Sequence, residues 1–186
     1  SGLERMAHAL SIIVVATLVG WLTAMSIDFR PENFIPLTLA PWQLFLLRLP
    51  ASFCGVFGFS LMFNSSPKLA ATAGALGMIA NTLRLELVEF THVPPAAGAF
   101  IGALVAGLLA SSIGKKAGYP RISLTVPAIV IMVPGLYMYR AVYNIGLTSI
   151  SVGAYWLTQA TLIVIALPLG LIAARILTDP KWRYSS

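Results

Sequence analysis

Residues 119–146 read YPRISLTVPAIVIMVPGLYMYRAVYNIG, a stretch that is long and apolar enough to cross a bilayer but contains prolines at its centre. Pro127 and Pro134-Gly135 fall at a depth where lipid offers no water. Each proline lacks a backbone N–H and frees a carbonyl one turn earlier, so the backbone here must face protein or an aqueous cavity. We therefore predict a broken membrane-spanning helix, and transporters often build binding sites on such helices.

The composition of the whole chain places the rest of the sequence in the membrane as well. Hydrophobic residues occupy 58% of the 186 positions, charged residues 10%, and the mean hydropathy is +0.87, which excludes a soluble globular protein. Each crossing takes roughly 20 residues. We predict an all-α integral membrane protein, a bundle of about six transmembrane helices whose fifth span is broken by proline and glycine. The spans are predicted at about 6–27, 43–63, 67–88, 95–113, 122–143 and 153–176.

The basic residues predict how the chain is oriented. The formal net charge of +6 is spread over the ends of the spans and not over one exposed face, which argues against a nucleic-acid partner. Lys and Arg collect on the cytoplasmic side of membranes. We therefore predict a multi-pass protein of the bacterial inner membrane with both termini in the cytoplasm. The basic residues that share this side are Arg5, Lys68, Lys115, Lys116, Arg121, Arg175, Lys181 and Arg183.

No arrangement of residues predicts catalysis, a metal site or a cofactor. The single cysteine, Cys54, excludes an internal disulfide, and His8 and His92 do not form a metal-binding pattern with it. The sequence has no nucleophile beside a base, no paired carboxylates inside an apolar span and no phosphate-binding glycine loop. We predict that the protein is not an enzyme.

Span three carries a stripe of small and polar residues. Gly74, Gly77, Asn81 and Arg84 follow one another at spacings of three, four and three, so they share one helical face. The glycines allow another helix to approach closely, and the polar residues then point between helices and away from lipid. A guanidinium in this position can pair bidentately with the carboxylate of an amino acid or organic acid.

Simpler interpretations of these polar residues carry about equal weight. Arg84 could reach the outer interface and neutralise Glu86 or Glu89, because a charge near the end of a span costs little. Asn81 could make an interhelical hydrogen bond. Arg48 lies about a turn inside span two, and we expect it to extend toward the outer headgroups. The two glutamates are the acids near a span that could carry a proton, although their interfacial position argues against it.

Span five offers a second polar edge just after the proline break. Tyr137, Arg140 and Asn144 are spaced three and four apart, which predicts the opposite wall of a site. Alternatively, Tyr137, Tyr139 and Tyr143 form an aromatic belt at the interface and Arg140 is a flanking anchor.

Span four is predicted to serve packing. Gly98 and Gly102 accompany Ala99, Ala103 and Gly107, the last three at spacings of four. Such small-xxx-small surfaces allow helices to approach closely.

Three stretches carry a family resemblance: GFSLMFNSSPKLAATAGALGMIANTLR at 58–84, PPAAGAFIGALVAGLLASSIGKKAGYP at 94–120 and LTVPAIVIMVPGLYMYRAV at 124–142. From about Trp42 to Ala174 the sequence resembles the small membrane component of the threonine/serine exporter family. The string VP…VPG…YR is the most specific part. The family pattern falls on Asn64, Gly77, Arg84, Pro127, Pro134, Gly135 and Arg140.

The resemblance implies ion-gradient-driven export of small amino acids such as threonine and serine, with a dicarboxylate such as succinate as an alternative cargo. It also implies a larger membrane component, either as a separate subunit or fused in one chain. Residues 1–40 lie outside the resemblance as a leading helix and loop, 41–178 form the exporter domain, and 179–186 form a cytoplasmic tail.

These observations predict four substrate-binding residues. Arg84 and Arg140 would bind a carboxylate, Asn81 and Tyr137 would orient the substrate, and the Pro134-Gly135 break would supply a free carbonyl or a hinge. The rival hypothesis is a scaffold subunit that docks the larger component and contacts no substrate. A channel would require several copies of the chain, because its few polar residues do not form a repeated ring.

Overall fold

The computed structural model describes residues 2–28, 39–147 and 149–179, and in these ranges it contains seven α-helices and no strand. The backbone contacts divide the chain into two units, Ser1–Leu39 and Ala40–Ser186. The first unit contains α1 (Gly2–Ser26). The second contains α2 (Pro41–Met62), α3 (Pro67–Phe90), α4 (Pro95–Ala117), α5 (Arg121–Val130), α6 (Gly135–Leu147) and α7 (Ile150–Thr178).

Local sequence signals explain where the helices of the second unit begin and end. Pro41, Pro67 and Pro95 occupy the first turns of α2, α3 and α4, where the missing N–H has no intrahelical partner to lose. The Ser66 hydroxyl caps α3 by accepting a backbone N–H at 3.4 Å. Gly118 ends α4 in the left-handed conformation at φ 70°, which glycine adopts without steric cost.

The prediction of a helical membrane protein with a broken fifth span is confirmed. In the described part of the chain, four helical segments are long and apolar enough to cross a membrane, and the segment Arg121–Gly146, which joins α5 and most of α6, is one of them. The other three are α2, α4 and α7. The remaining predicted spans differ: the apolar part of α1, Val14–Ser26, is shorter, and α3 carries Asn81 and charged residues that lower its hydropathy. The predicted loop before residue 39 and the tail after 179 lie largely outside the described residues.

Helix α3 tolerates this polarity because it lies inside the second unit. It packs against α2, α4 and α5, so many of its side chains face protein and not lipid. A Cβ atom at Gly74 would lie 2.9 Å from the Phe53 ring of α2. On the other side, a Cβ at Gly102 of α4 would lie 3.2 Å from the Ala80 carbonyl oxygen. These approaches are the ones that small residues permit.

The other two predicted packing glycines occupy equally close contacts. A Cβ at Gly77 would overlap the Val56 side chain of α2, and one at Gly98 would lie 2.6 Å from Val88 of α3. Helix α4 packs along α7 on its far side, and α6 pairs with α7. The second unit is therefore held together mainly by alanine and glycine faces.

Local hydrogen bonds satisfy part of the backbone at the break between α5 and α6. Pro134 cannot donate to the Val130 carbonyl, and that oxygen instead accepts the Val133 N–H at 3.1 Å. The Gly135 N–H donates to the Val133 oxygen at 2.8 Å. Since α5 has 10 residues, it is about 15 Å long, which is half the thickness of a hydrocarbon core of roughly 30 Å.

Candidate functional site

The polar residues of α3 form a buried hydrogen-bonded chain with α2. The Asn81 Nδ2 group donates to the Ser52 hydroxyl at 2.9 Å, and the Asn81 Oδ1 atom accepts from the Arg84 guanidinium at 3.3 Å. Asn81 is 5% exposed and Ser52 2%. Asn81 thus makes the interhelical hydrogen bond expected of a packing residue and also holds the Arg84 guanidinium in place.

Arg84 is a buried cation for which the described residues provide no carboxylate partner. Its relative exposure is 9%, it takes part in no ion pair among the described residues, and its Nε atom there has no hydrogen-bond partner. A buried charge is costly unless it is paired and hydrogen-bonded. An anion that paired with the guanidinium would therefore stabilise the folded protein.

An opening beside Arg84 provides room for such an anion. A cleft of about 290 Å³ lies where α3, the start of α4 and the α5–α6 break meet, with Arg48 of α2 at its edge. Arg84, Pro134, Gly135 and the half-buried Tyr137 line it together. The broken backbone and the buried guanidinium thus belong to one site.

The glutamates at the end of α3 pair with α2 and not with Arg84. The two terminal nitrogens of Arg48 bind Glu86, at 2.7 Å, and Glu89. The interpretation in which Arg84 neutralises one of these glutamates is therefore wrong, and Arg48 does not simply extend to the headgroups. Arg48 and Glu89 line the cleft, and together with Glu86, which pairs with Arg48 but does not line the cleft, they form a charged cluster that we call the rim. The rim carries a net charge of −1 from one cation and two anions, of which the cation and one anion line the cleft.

The structure does not bring Arg140 and Asn144 to the cleft. The Arg140 guanidinium carbon lies 4.7 Å above the centre of the Trp156 ring of α7, and the Arg140 side chain is exposed. The Asn144 amide donates to the backbone oxygen of Arg140. Tyr137 meets the same tryptophan edge to face at 5.5 Å, so it bridges the cleft and α7. An aromatic face attracts a guanidinium, and this accounts for the position of Arg140 without a substrate.

The sequence interpretation missed the hydrogen bond of Ser52 to Asn81 and the position of Arg48 beside the cleft. Both lie on one face of α2 at a spacing of four, which is the signal that was available. Residue spacing within α2 could not show that this face meets the carboxy-terminal half of α3.

The fold and the cleft define a class of protein: an α-helical membrane protein with a polar site at a broken helix. Residues 48–177 match the family model described as "Threonine/Serine exporter, ThrE". This match covers more than half of the chain and includes all the residues that line the cleft. The chain belongs to the threonine/serine exporter family, a family of membrane transporters and not of enzymes.

A curated relative supplies a comparison of length. An uncharacterized protein of Haemophilus influenzae is 28% identical over 137 residues, which cover 67% of this chain and 44% of the relative. The chain therefore spans less than half the length of this relative. No solved structure matches the chain.

Proposed function

We propose that the chain is the membrane component of a secondary exporter of small amino acids such as threonine and serine, driven by an ion gradient and working with a larger membrane component. Family membership supports the transport of such substrates. The length of the Haemophilus influenzae relative, which extends well beyond the matched part, supports the existence of a further component.

The observation that carries this proposal is the buried Arg84 guanidinium with no carboxylate partner in the described part of the chain. A substrate carboxylate entering the cleft would pair with this guanidinium. The Asn81 side chain accepts a hydrogen bond from the guanidinium and so fixes its position. The Tyr137 hydroxyl, which also belongs to the lining, can donate a hydrogen bond to the same ligand. Substrate binding would thus offset the free-energy cost of burying the Arg84 charge without a counterion.

The charges around the cleft favour a zwitterion over a dicarboxylate. Arg84 supplies one positive charge, and the rim cluster of Arg48, Glu86 and Glu89 supplies one net negative charge. An amino acid can place its carboxylate on Arg84 and its ammonium group near Glu89, which lines the cleft. The second carboxylate of succinate would instead meet the net negative charge of the rim.

The charge distribution supports an inner-membrane location with both termini cytoplasmic. Lys68, Lys115, Lys116 and Arg121 lie at the end of the second unit opposite the start of α4 and the carboxyl end of α3. If this basic end is cytoplasmic, the cleft lies in the outer half of the protein. An exporter would release its cargo on that side.

Transport by proteoliposomes that contain this chain and the larger component tests the proposal. We expect Arg84→Ala to abolish threonine efflux under an imposed proton gradient, while Arg140→Gln, a matched loss of one guanidinium, retains most of it. Expression and orientation are matched by labelling. Wild-type efflux from Arg84→Ala would reject the site.

A photoreactive threonine analogue separates this function from that of a scaffold subunit. The analogue should label this chain near the cleft, and the label should be lost in Arg84→Ala. Labelling confined to the larger component would support the scaffold.

A further inference from the structure

A second cleft lies at the basic end of the second unit, away from the site around Arg84. It has a volume of about 540 Å³ and lies between the start of α5 and the end of α7. Its polar lining includes Arg121 and Arg175, and its apolar lining includes Ile122, Leu171 and Ile172. None of these residues takes part in the proposed transport site.

Arg121 is held firmly in this cleft by neutral partners. One terminal nitrogen donates to the Thr178 hydroxyl of α7 at 3.0 Å, and the other donates to the Gly107 carbonyl oxygen of α4 at 3.3 Å. A guanidinium has five N–H donors, so these two bonds fix its plane and leave donors for a ligand. Neither bond neutralises its charge.

The charges near Arg121 favour an anionic ligand. Arg175 lines the same cleft from the last turn of α7, and Asp179 is the acidic residue in the lining. Lys115 and Lys116, in the last turn of α4, precede the start of α5 by a short connection. Among the described residues, two cations and one carboxylate line the cleft, and two further cations end the neighbouring α4, so the excess of positive charge attracts anions.

The apolar side of the cleft favours an anionic lipid over a small soluble anion. Ile122 is 68% exposed and Ile172 is 41% exposed, and both line the cleft on helices that cross the membrane. A free phosphate or a dicarboxylate would use the arginines and leave this wall uncovered. A phospholipid would place its phosphate at the arginines and its acyl chain along the isoleucines, since basic pockets between transmembrane helices bind lipid headgroups.

We propose that this cleft binds the headgroup of an anionic phospholipid, such as phosphatidylglycerol, from the leaflet at the basic end of the protein. The lipid phosphate bridges Arg121 and Arg175 and so links α5 to α7. The site does not depend on the transport function proposed above.

Lipid retention tests this site directly. The full chain is purified from nanodiscs that contain phosphatidylglycerol and zwitterionic phosphatidylcholine in equal amounts, and the lipids that remain bound are quantified by native mass spectrometry. We expect the wild-type protein to retain phosphatidylglycerol preferentially. Arg121→Gln and Arg175→Gln should each reduce that preference roughly fivefold. Arg140→Gln, which removes an exposed guanidinium elsewhere, should leave it unchanged.

Two controls keep the result interpretable. Arg121→Gln also removes the bonds to Thr178 and Gly107, so Arg175→Gln, which leaves them intact, provides the second variant. Circular dichroism verifies that both variants are helical. Equal retention of the two lipids by the wild-type protein, or unchanged retention by Arg175→Gln, would overturn the proposal. Release of the lipid by inorganic phosphate would instead identify a free-anion site, and release by threonine a cargo site; both contradict a lipid site.

Discussion

Two arginines line the cleft that we propose for substrate, Arg48 and Arg84, and they differ in their partners. At the rim, Arg48 binds two glutamates and joins α2 to α3. Arg84, in contrast, is buried, and the described residues provide it with an amide oxygen but no carboxylate. A paired charge at an accessible position can be explained by structure alone, whereas a buried charge without a counterion lowers stability and requires another explanation. This difference is why we propose Arg84, and not Arg48, as the cation that binds substrate.

The largest change in stability and transport is expected at Arg84. Replacing the guanidinium by an apolar chain of similar length in Arg84→Met should raise the free energy of unfolding by about 2 kcal/mol, because it removes an unpaired buried charge. The same variant should lose threonine efflux. Thermal unfolding in detergent and efflux from proteoliposomes measure the two effects. A less stable Arg84→Met protein would mean that the guanidinium has a structural partner, and the comparison would fail.

The equivalent substitution at the rim, Arg48→Met, should lower the free energy of unfolding and not raise it. Arg48→Met leaves Glu86 and Glu89 facing each other without a cation, so we expect a loss of about 1 kcal/mol in the free energy of unfolding. The double variant Arg48→Met with Glu86→Gln should recover part of this loss. Thermal unfolding at low and high salt provides the measurement, since the loss should shrink as salt screens the glutamates. Stabilisation by Arg48→Met would show that the rim pairs are not favourable.

The smallest effect concerns selectivity at the rim. Glu89→Gln removes the negative charge that we assign to the substrate ammonium group, so threonine should compete less well against succinate, by roughly threefold. Competition between the two substrates in the efflux assay measures this ratio. Asp28→Asn, a matched neutralisation outside the second unit, should not change it. An unchanged ratio in Glu89→Gln would assign the ammonium group to another residue.

Much of the fold was predictable because it depends on local physics. The apolar composition required a membrane environment, and Pro134 followed by Gly135 required an interruption, which the structure places between α5 and α6. The glycine spacing on α3 and α4 predicted close helix contacts, which occur at Gly74 and Gly102. Each of these features follows from residues within one helix.

The candidate site was predictable only in part. Asn81 and Arg84 are one turn apart, so their contact followed from helical geometry. Tyr137 was expected at the proline break, and it lines the cleft there. The predicted opposite wall also included Arg140, but Trp156 of α7 holds this side chain on another face. The sequence of span five contains no information about which helix lies beside that face.

By itself the sequence determined the membrane class, the broken helix and the small-residue faces, since each depends on chemistry within about 20 consecutive residues. Only the tertiary structure decided which charges pair. Glu86 and Glu89 are 38 and 41 residues from Arg48, so their pairing depends on how α2 and α3 are rotated against each other. Packing of the helices fixes their rotation, and among the described residues it pairs both glutamates with Arg48 and gives the buried Arg84 no carboxylate.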